Sequence, residues 1–130
     1  MKGHIAALGG LDGVMDWDDY YGTAVHLWDV NTQKRLGYII ISRRGGSNNH
    51  PLTDLALNHD GSILITAQNN GAVRFWNTSD DSEIPKGIQE IVLITRILYN
   101  VNEKYLALQS AQGVSIWDTE TREKVSTFNF

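Results

Sequence analysis

Three segments decide the fold of this chain: AVHLWDVNTQKRLGYI (residues 24–39), AVRFWNTSDDSEIPKGI (72–88) and GVSIWDTETREKVSTF (113–128). Each segment contains a short apolar run that ends at a tryptophan. The residue after the tryptophan is an aspartate or an asparagine. The three tryptophans are Trp28, Trp76 and Trp117, which recur after 48 and then 41 residues. A repeat of about 40 to 45 residues is typical of a four-stranded β unit that occurs several times in one fold.

Within each unit, apolar runs alternate with Gly, Asn and Asp, which predicts short strands joined by tight turns. The predicted strands are 5–8, 14–17, 24–28 and 35–41 in the first unit, 52–57, 63–67 and 72–76 in the second, and 91–98, 105–108, 114–117 and 124–130 in the third. The predicted turns are 11–13, an oversized turn at 18–22, and then 58–61, 69–71, 100–103 and 111–113. No part of the chain has the periodicity of a helix.

This arrangement resembles the WD-repeat family, whose units run from a Gly-His pair to a Trp-Asp pair. Gly3-His4 precedes Trp28-Asp29, Asn49-His50 precedes Trp76-Asn77, and Gly87-Ile88 stands before Trp117-Asp118. The resemblance covers the whole chain and implies an all-β fold, with antiparallel four-stranded blades of a WD-repeat β-propeller, about three blades and an incomplete ring. We expect blade one at 3–41, a linker insert at 42–49, blade two at 50–86 and blade three at 87–130.

The family also implies a buried hydrogen-bond network of a His, a second-strand Ser or Thr, a turn Asp and the third-strand Trp. Blade two offers His50, Thr66 and Trp76 for it, with Asn70 at the turn position. Gly22 and Ala111 or Gln112 stand at that position in the other blades, so their indoles need different partners or water. The other residues expected to have structural roles are His4, Trp28, Asp29, Trp117 and Asp118.

Composition excludes several classes of function. The net charge of −4 gives no field that would attract a phosphate backbone, so we expect no nucleic-acid partner. No run of eighteen apolar residues occurs, so we expect no membrane span. The absence of cysteine fits a reducing compartment, and we expect the protein to be cytoplasmic or nuclear.

The residue pattern gives no sign of catalysis. The four histidines are scattered without metal-ligand spacing, and the acidic run at 12–19 lacks the ligand spacing of a calcium loop. No serine lies in a nucleophile elbow or beside an evident base. We therefore predict no catalytic residue, no metal site and no cofactor, and we do not expect an enzyme.

We expect any binding site to lie in the turns between second and third strands and in the links between blades, because the family often binds ligands on that face. The candidate residues are Tyr20, Tyr21, Arg43, Arg44, Gln68, Asn69 and Gln112. Aromatic and arginine side chains are enriched at interface hot spots. The alternatives are that the tyrosines pack beneath their turn and that the arginines belong to a solvated loop.

Two functions stay open. The first is a protein-protein interaction scaffold that binds peptides or partner domains through its turn face. The second is a structural subunit or propeller fragment that docks its blade edges into a larger complex. Three blades cannot close a ring, so we expect exposed apolar faces that are covered by blades of a longer chain, a second copy or another subunit.

Overall fold

The computed structural model describes residues 5–15, 20–43, 52–100 and 102–130, and the side chains at 25–37, 39, 52–100 and 102–130. The described residues contain eleven strands and no helix. The strands are β1 (Ile5–Met15), β2 (Tyr20–Asp29), β3 (Lys34–Arg43), β4 (Leu52–Leu57), β5 (Ile63–Gln68), β6 (Ala72–Asn77), β7 (Glu83–Gln89), β8 (Arg96–Tyr99), β9 (Tyr105–Ser110), β10 (Gly113–Asp118) and β11 (Lys124–Asn129). The all-β prediction is confirmed.

The strands form three antiparallel sheets in chain order. Sheet one has the order β1-β2-β3, sheet two β4-β5-β6-β7, and sheet three β8-β9-β10-β11. Strand β4 contacts both β1 and β8, so the first strands of the three sheets are neighbours. The Asp54 carboxylate in β4 accepts a hydrogen bond from the Ile97 backbone N–H in β8 at 2.7 Å. The three sheets therefore stand side by side as an incomplete series of blades.

Register shows that sheet one differs from the other two. Trp28 is paired with Ala6 in β1, Trp76 with Leu64 in β5, and Trp117 with Leu106 in β9. Strand β1 is thus the counterpart of β5 and β9. Sheet one has no counterpart of β4 and β8 within the described residues, and the prediction of four strands in the first unit is wrong.

The error in the first unit has a local cause. Residues 11–13, predicted as a turn, lie inside the continuous strand β1, where the pairing shifts between Leu11 opposite Thr23 and Val14 opposite Tyr21. Two residues, Asp12 and Gly13, face the single residue Gly22 there, which is a β-bulge. Glycine is common in bulges as well as in turns, so the local sequence does not separate the two.

Three other boundaries differ from the predictions. Residues 20–22, expected in an oversized turn, belong to β2. Residues 91–95, expected in a strand, form an irregular link before β8. Strand β7 continues to Gln89, so residues 87–89, assigned to the third unit, lie in sheet two.

The residue after each tryptophan closes the turn that follows. The Oδ1 atoms of Asp29, Asn77 and Asp118 accept hydrogen bonds from backbone N–H groups two residues further along, at 2.9, 3.1 and 2.8 Å. Each of these turns then passes through a residue with positive φ, which is Gln33, Asp81 or Arg122. Short side chains with a carbonyl or carboxylate oxygen suit this role because they replace a backbone acceptor. The recurrence explains the Trp-Asp pattern in physical terms.

Two apolar clusters hold the sheets together. The cluster between sheets one and two contains Val25, Leu27, Ile39, Leu64 and Trp76. The cluster between sheets two and three contains Ile65, Ala67, Val73, Phe75, Ile88, Ile94, Ile97, Leu106 and Leu108. Each cluster lies between two sheets, so every sheet depends on its neighbour for burial of its apolar face.

Candidate functional site

The turns and the link between blades meet at one end of sheets two and three. The Glu90 N–H donates to the Gly71 carbonyl at 2.9 Å, and the Gln89 side chain donates to the Asn70 carbonyl at 2.9 Å. A groove joins the link to the β9–β10 turn. We call the surface formed by residues 69–71, 90–95 and 111–112 the link face. This end is where the sequence predicted a binding surface.

The link face presents apolar side chains to solvent. Ile91 is 98% exposed and Leu93 is 49% exposed. They border a groove of about 300 Å³, whose lining is completed by Val92, Thr95, Ser110, Ala111 and Gln112. An exposed apolar pair beside a groove with polar groups has the composition of a protein-binding surface.

Beneath the link face, Glu90 anchors the link to sheet three. Its side chain is only 8% exposed, and its Oε1 atom accepts hydrogen bonds from Ser115 Oγ at 2.8 Å and from Trp117 Nε1 at 3.0 Å. Trp117 Nε1 also lies 2.9 Å from Ser115 Oγ. A buried indole N–H needs an acceptor, and here a carboxylate and a hydroxyl supply it. Glu90 also lines a cavity of about 150 Å³ between the link and sheet three.

Sheet two contains one hydrogen bond of the network that the family resemblance implied. The Trp76 indole donates to Thr66 Oγ1 at 3.0 Å, and both residues are buried. Arg74 lies over the same indole, 4.5 Å from the ring centre. By register Leu108 stands in sheet three where Thr66 stands in sheet two, so Glu90 and Ser115 replace the missing hydroxyl.

The comparisons with known proteins agree with this geometry. The chain is 24% identical to the ribosome biogenesis protein WDR12 homolog of Dictyostelium discoideum, over 92% of the chain and 24% of the relative. It is 27% identical to mouse WD repeat-containing protein 75, over 78% and 14%. It is 24% identical to a guanine nucleotide-binding protein subunit beta-like protein of Encephalitozoon cuniculi, over 81% and 35%. No model of a protein family matches the chain.

The repeated tryptophans and the three antiparallel sheets agree with these relatives. The chain is similar to WD-repeat proteins in its sequence and in its repeated antiparallel sheets. It spans about a third or less of the length of the three relatives above. A protein-interaction or scaffold role is the general function that these relatives support.

The structure places three candidate binding residues of this chain at or beside the link face. Asn69 and Gln112 are exposed in the β5–β6 and β9–β10 turns. Gln68, in contrast, ends β5 and is only 1% exposed, with its Oε1 atom 3.4 Å from Arg74 Nη1. Gln68 therefore supports the fold beneath the face. A binding role for Asn69 and Gln112 stays a prediction.

The aromatic and basic candidates lie on sheet one or outside the described residues. Tyr20 and Tyr21 lie in β2, and Tyr21 is paired with Arg43 at the end of β3. These three are neighbours in the sheet and do not belong to a turn or a linker. Arg44, His4 and His50 lie outside the described residues.

The other residues that were predicted to have structural roles lie in turns or on an outer face of sheet one. Asn70 is exposed, and its Oδ1 atom accepts from the Ala72 N–H at 3.1 Å, so it closes its own turn. Asp29 and Asp118 close the turns after β2 and β10. Trp28 is 36% exposed, because its side of sheet one has no neighbouring sheet in the described structure.

Sequence reasoning missed Ile91, Leu93 and Glu90. Residues 91–94 read Ile-Val-Leu-Ile, which resembles a buried strand when only hydrophobicity is considered. Glu90 gave a signal that residues 91–94 are not an ordinary buried strand. An acidic residue directly before such a run is rarely buried unless it is paired.

The described residues contain no group of three or more His, Asp or Glu side chains placed to hold a metal ion. No helix capable of crossing a membrane occurs in the part of the chain that the structure describes. At the end opposite the link face, an opening of about 540 Å³ is lined by charged groups that include Lys104 and Asp118, which lie 3.8 Å apart.

Proposed function

We propose that this chain is a non-catalytic interaction platform that binds peptides or partner domains through its link face. One observation carries the proposal: Ile91 is almost fully exposed beside the half-exposed Leu93, at the edge of a groove. Exposing a branched aliphatic side chain to water is unfavourable by about 1.5 to 3 kcal/mol relative to burial. A ligand that covers both side chains recovers part of that free energy.

The groove adds polar groups that can fix the orientation of a bound segment. The Gln112 amide and the Thr95 hydroxyl lie along it, while Ser110 is largely buried at its floor. A peptide that brings one or two apolar side chains and exposed backbone amides fits this combination, since apolar contacts give affinity and polar groups give orientation. No step of this function requires a catalytic group.

The relatives indicate the kind of setting. Because the Dictyostelium relative is named a ribosome biogenesis protein, we propose a nuclear compartment and a partner within a multi-protein assembly for this chain. The same comparisons leave room for a second function, a structural segment that docks its outer sheet faces into a larger complex. The exposure of Trp28 at one outer face and of Phe128, at 59%, at the other favours this second function.

Selection of binders from a random peptide display library tests the link face. Binding of the selected peptides is measured by fluorescence anisotropy against the wild-type chain and the double variant Ile91→Asp/Leu93→Asp. We expect at least a tenfold loss of affinity in the double variant, because the charges remove the apolar contact. The matched control is Val30→Asp, which changes a residue of similar exposure, 53%, in the β2–β3 turn.

The control is expected to retain wild-type affinity. Failure to select any peptide, or selected peptides that bind the double variant as well as the wild type, would overturn the link-face proposal. Circular dichroism of each variant verifies that the sheets are intact before binding is compared.

A further inference from the structure

The two joints between sheets are built from equivalent positions. In sheet one, Val25 and Leu27 of β2 and Ile39 of β3 face sheet two, and Val25 is paired with Ile39. In sheet two, the residues at the same register are Val73, Phe75 and Ile88. We call each such set an acceptor trio. All six side chains are at most 4% exposed.

The next sheet inserts equivalent residues against each acceptor trio. Leu64 and Trp76 of sheet two pack with the trio of sheet one. Leu106 and Trp117 of sheet three pack on the cluster that contains the trio of sheet two. In both cases the inserting pair is a tryptophan and the leucine opposite it in register. We call this side of a sheet the inserting side.

Sheet three carries a third acceptor trio that nothing covers in the described structure. Val114, Ile116 and Phe128 occupy its positions, and Val114 is paired with Phe128. Phe128 is 59% exposed, and Leu98, which lies in the same cross-strand row as Ile116, is 40% exposed. At the other end of the chain, the inserting side of sheet one exposes 36% of Trp28, whereas Trp76 is 5% exposed.

We propose that two copies of this chain associate head to tail, with the inserting side of sheet one of one copy on the Val114/Ile116/Phe128 trio of the other. The chain carries a third acceptor trio and, on sheet one, an inserting tryptophan with Ala6 instead of a leucine opposite it, so a second copy supplies a surface of the same kind at each end. Heterologous contacts form a closed ring when the rotation that relates one copy to the next leads back to the first copy. Two copies bring together six sheets, which lies within the range of about four to eight blades in closed propellers.

Sedimentation velocity of the 130-residue chain over a concentration series tests the pairing. The wild type is expected to shift with concentration from 14.6 kDa towards twice that mass. Phe128→Glu, on the acceptor trio, and Trp28→Glu, on the inserting side, are each expected to remain monomeric. Thr127→Glu is the control, because Thr127 is an exposed residue whose side chain lies on the other side of β11.

Mixing the two monomeric variants gives the decisive measurement. The Phe128→Glu chain keeps an intact inserting side and the Trp28→Glu chain keeps an intact trio, so an equimolar mixture is expected to recover one joint and sediment as a 1:1 dimer. A wild type that stays monomeric, variants that associate like the wild type, or a mixture that stays monomeric would overturn the proposal. The Ile91→Asp/Leu93→Asp variant is expected to associate normally, which separates this contact from the link face.

Discussion

The Trp117 indole donates its N–H to the carboxylate of Glu90, 3.0 Å away and 27 positions earlier in the chain. Glu90 is the first residue after β7, so this hydrogen bond fastens the start of the link to the third strand of the next sheet. Thr66 has the corresponding task for Trp76 within its own sheet. The Trp76 indole therefore has its acceptor within its own sheet, whereas the Trp117 indole has an acceptor in the link. The hydrogen bond between Trp117 and Glu90 positions the link face.

Replacing Glu90 tests that anchor. Glu90→Ala removes an acceptor from both Ser115 and Trp117, and we expect the free energy of unfolding to fall by about 1 to 3 kcal/mol. Glu90→Gln keeps a carbonyl oxygen in place and should lose less than half as much. Urea unfolding followed by tryptophan fluorescence measures both. Equal losses in the two variants would contradict the acceptor role, and Glu120→Ala, at an exposed position, serves as the control.

The exposure of the tryptophans predicts unequal costs of truncation. Trp76 is 5% exposed, so Trp76→Ala should lower the free energy of unfolding by about 3 to 5 kcal/mol. Trp28 is 36% exposed, and Trp28→Ala should cost less than half of that in dilute solution, where self-association is absent. Denaturant unfolding at low protein concentration measures both values. Similar costs would mean that Trp28 is as buried as Trp76.

Most of sheets two and three could be predicted from the sequence, because turns that contain Asn, Asp or Gly bound their strands and the tryptophans set the period. Sheet one and the link between sheets two and three could not be predicted in this way, because their structure depends on contacts between residues that are distant in the sequence. Asp12 and Gly13 permit a turn or a bulge, and only the pairing of β1 with residues 21–23 selects the bulge. The apolar run at 91–94 reads as a strand, but contacts of Glu90 with Gly71 and Trp117 draw the chain away from the sheet.

The location of the candidate site could be predicted from the sequence, but the side chains that form it could not. The family resemblance indicated the end of the blades at which turns and links meet, and a binding role for that end stays a prediction. Gln68 was included because it follows the predicted strand 63–67, yet it belongs to β5, which is buried on both faces from Leu64 to Gln68. Ile91 was not among the candidates, because residues 91–98 were predicted as a strand and an isoleucine in such a run is normally buried. Exposure of a single residue depends on the path of the link, which follows from tertiary contacts.

Two glycines with similar backbone geometry separate steric clash from backbone strain. Gly113 has φ +156°, and an added Cβ would lie 2.0 Å from the Phe128 carbonyl oxygen. Gly37 has φ +149°, and an added Cβ would meet nothing within 4 Å. We expect Gly113→Ala to destabilise the fold by about 1 to 3 kcal/mol more than Gly37→Ala, since only the former must displace β11. Thermal and urea unfolding of the pair measure the difference, and equal losses would refute the close approach of β10 and β11.

The turn after β10 should contribute to acid sensitivity. Backbone N–H groups of Thr121 and Glu120 donate to the Asp118 carboxylate and hold the pKa of Asp118 below its ordinary value. A folded-state pKa below the unfolded one gives stability that is complete above the ordinary aspartate pKa of about 4 and is lost as the pH falls through the lowered value. Asn77 closes the equivalent turn with an uncharged amide, whose hydrogen bond does not depend on pH. Asp118→Asn should therefore keep the turn and reduce the slope of unfolding free energy against pH below about pH 4.

Asp81 provides a control, because its substitution is expected to change the pH dependence of the unfolding free energy in the opposite direction. Burial, together with the neighbouring charge of Asp80, raises the pKa of Asp81, so its ionisation opposes folding as the pH increases. Asp81→Asn should therefore steepen the gain in stability between acid and neutral pH, whereas Asp118→Asn should flatten it. Asparagine also tolerates the positive φ of 65° at position 81. Urea unfolding at a series of pH values measures both slopes, and a change in the same direction for the two variants would show that the hydrogen bonds of the Asp118 turn are not the source of the acid sensitivity.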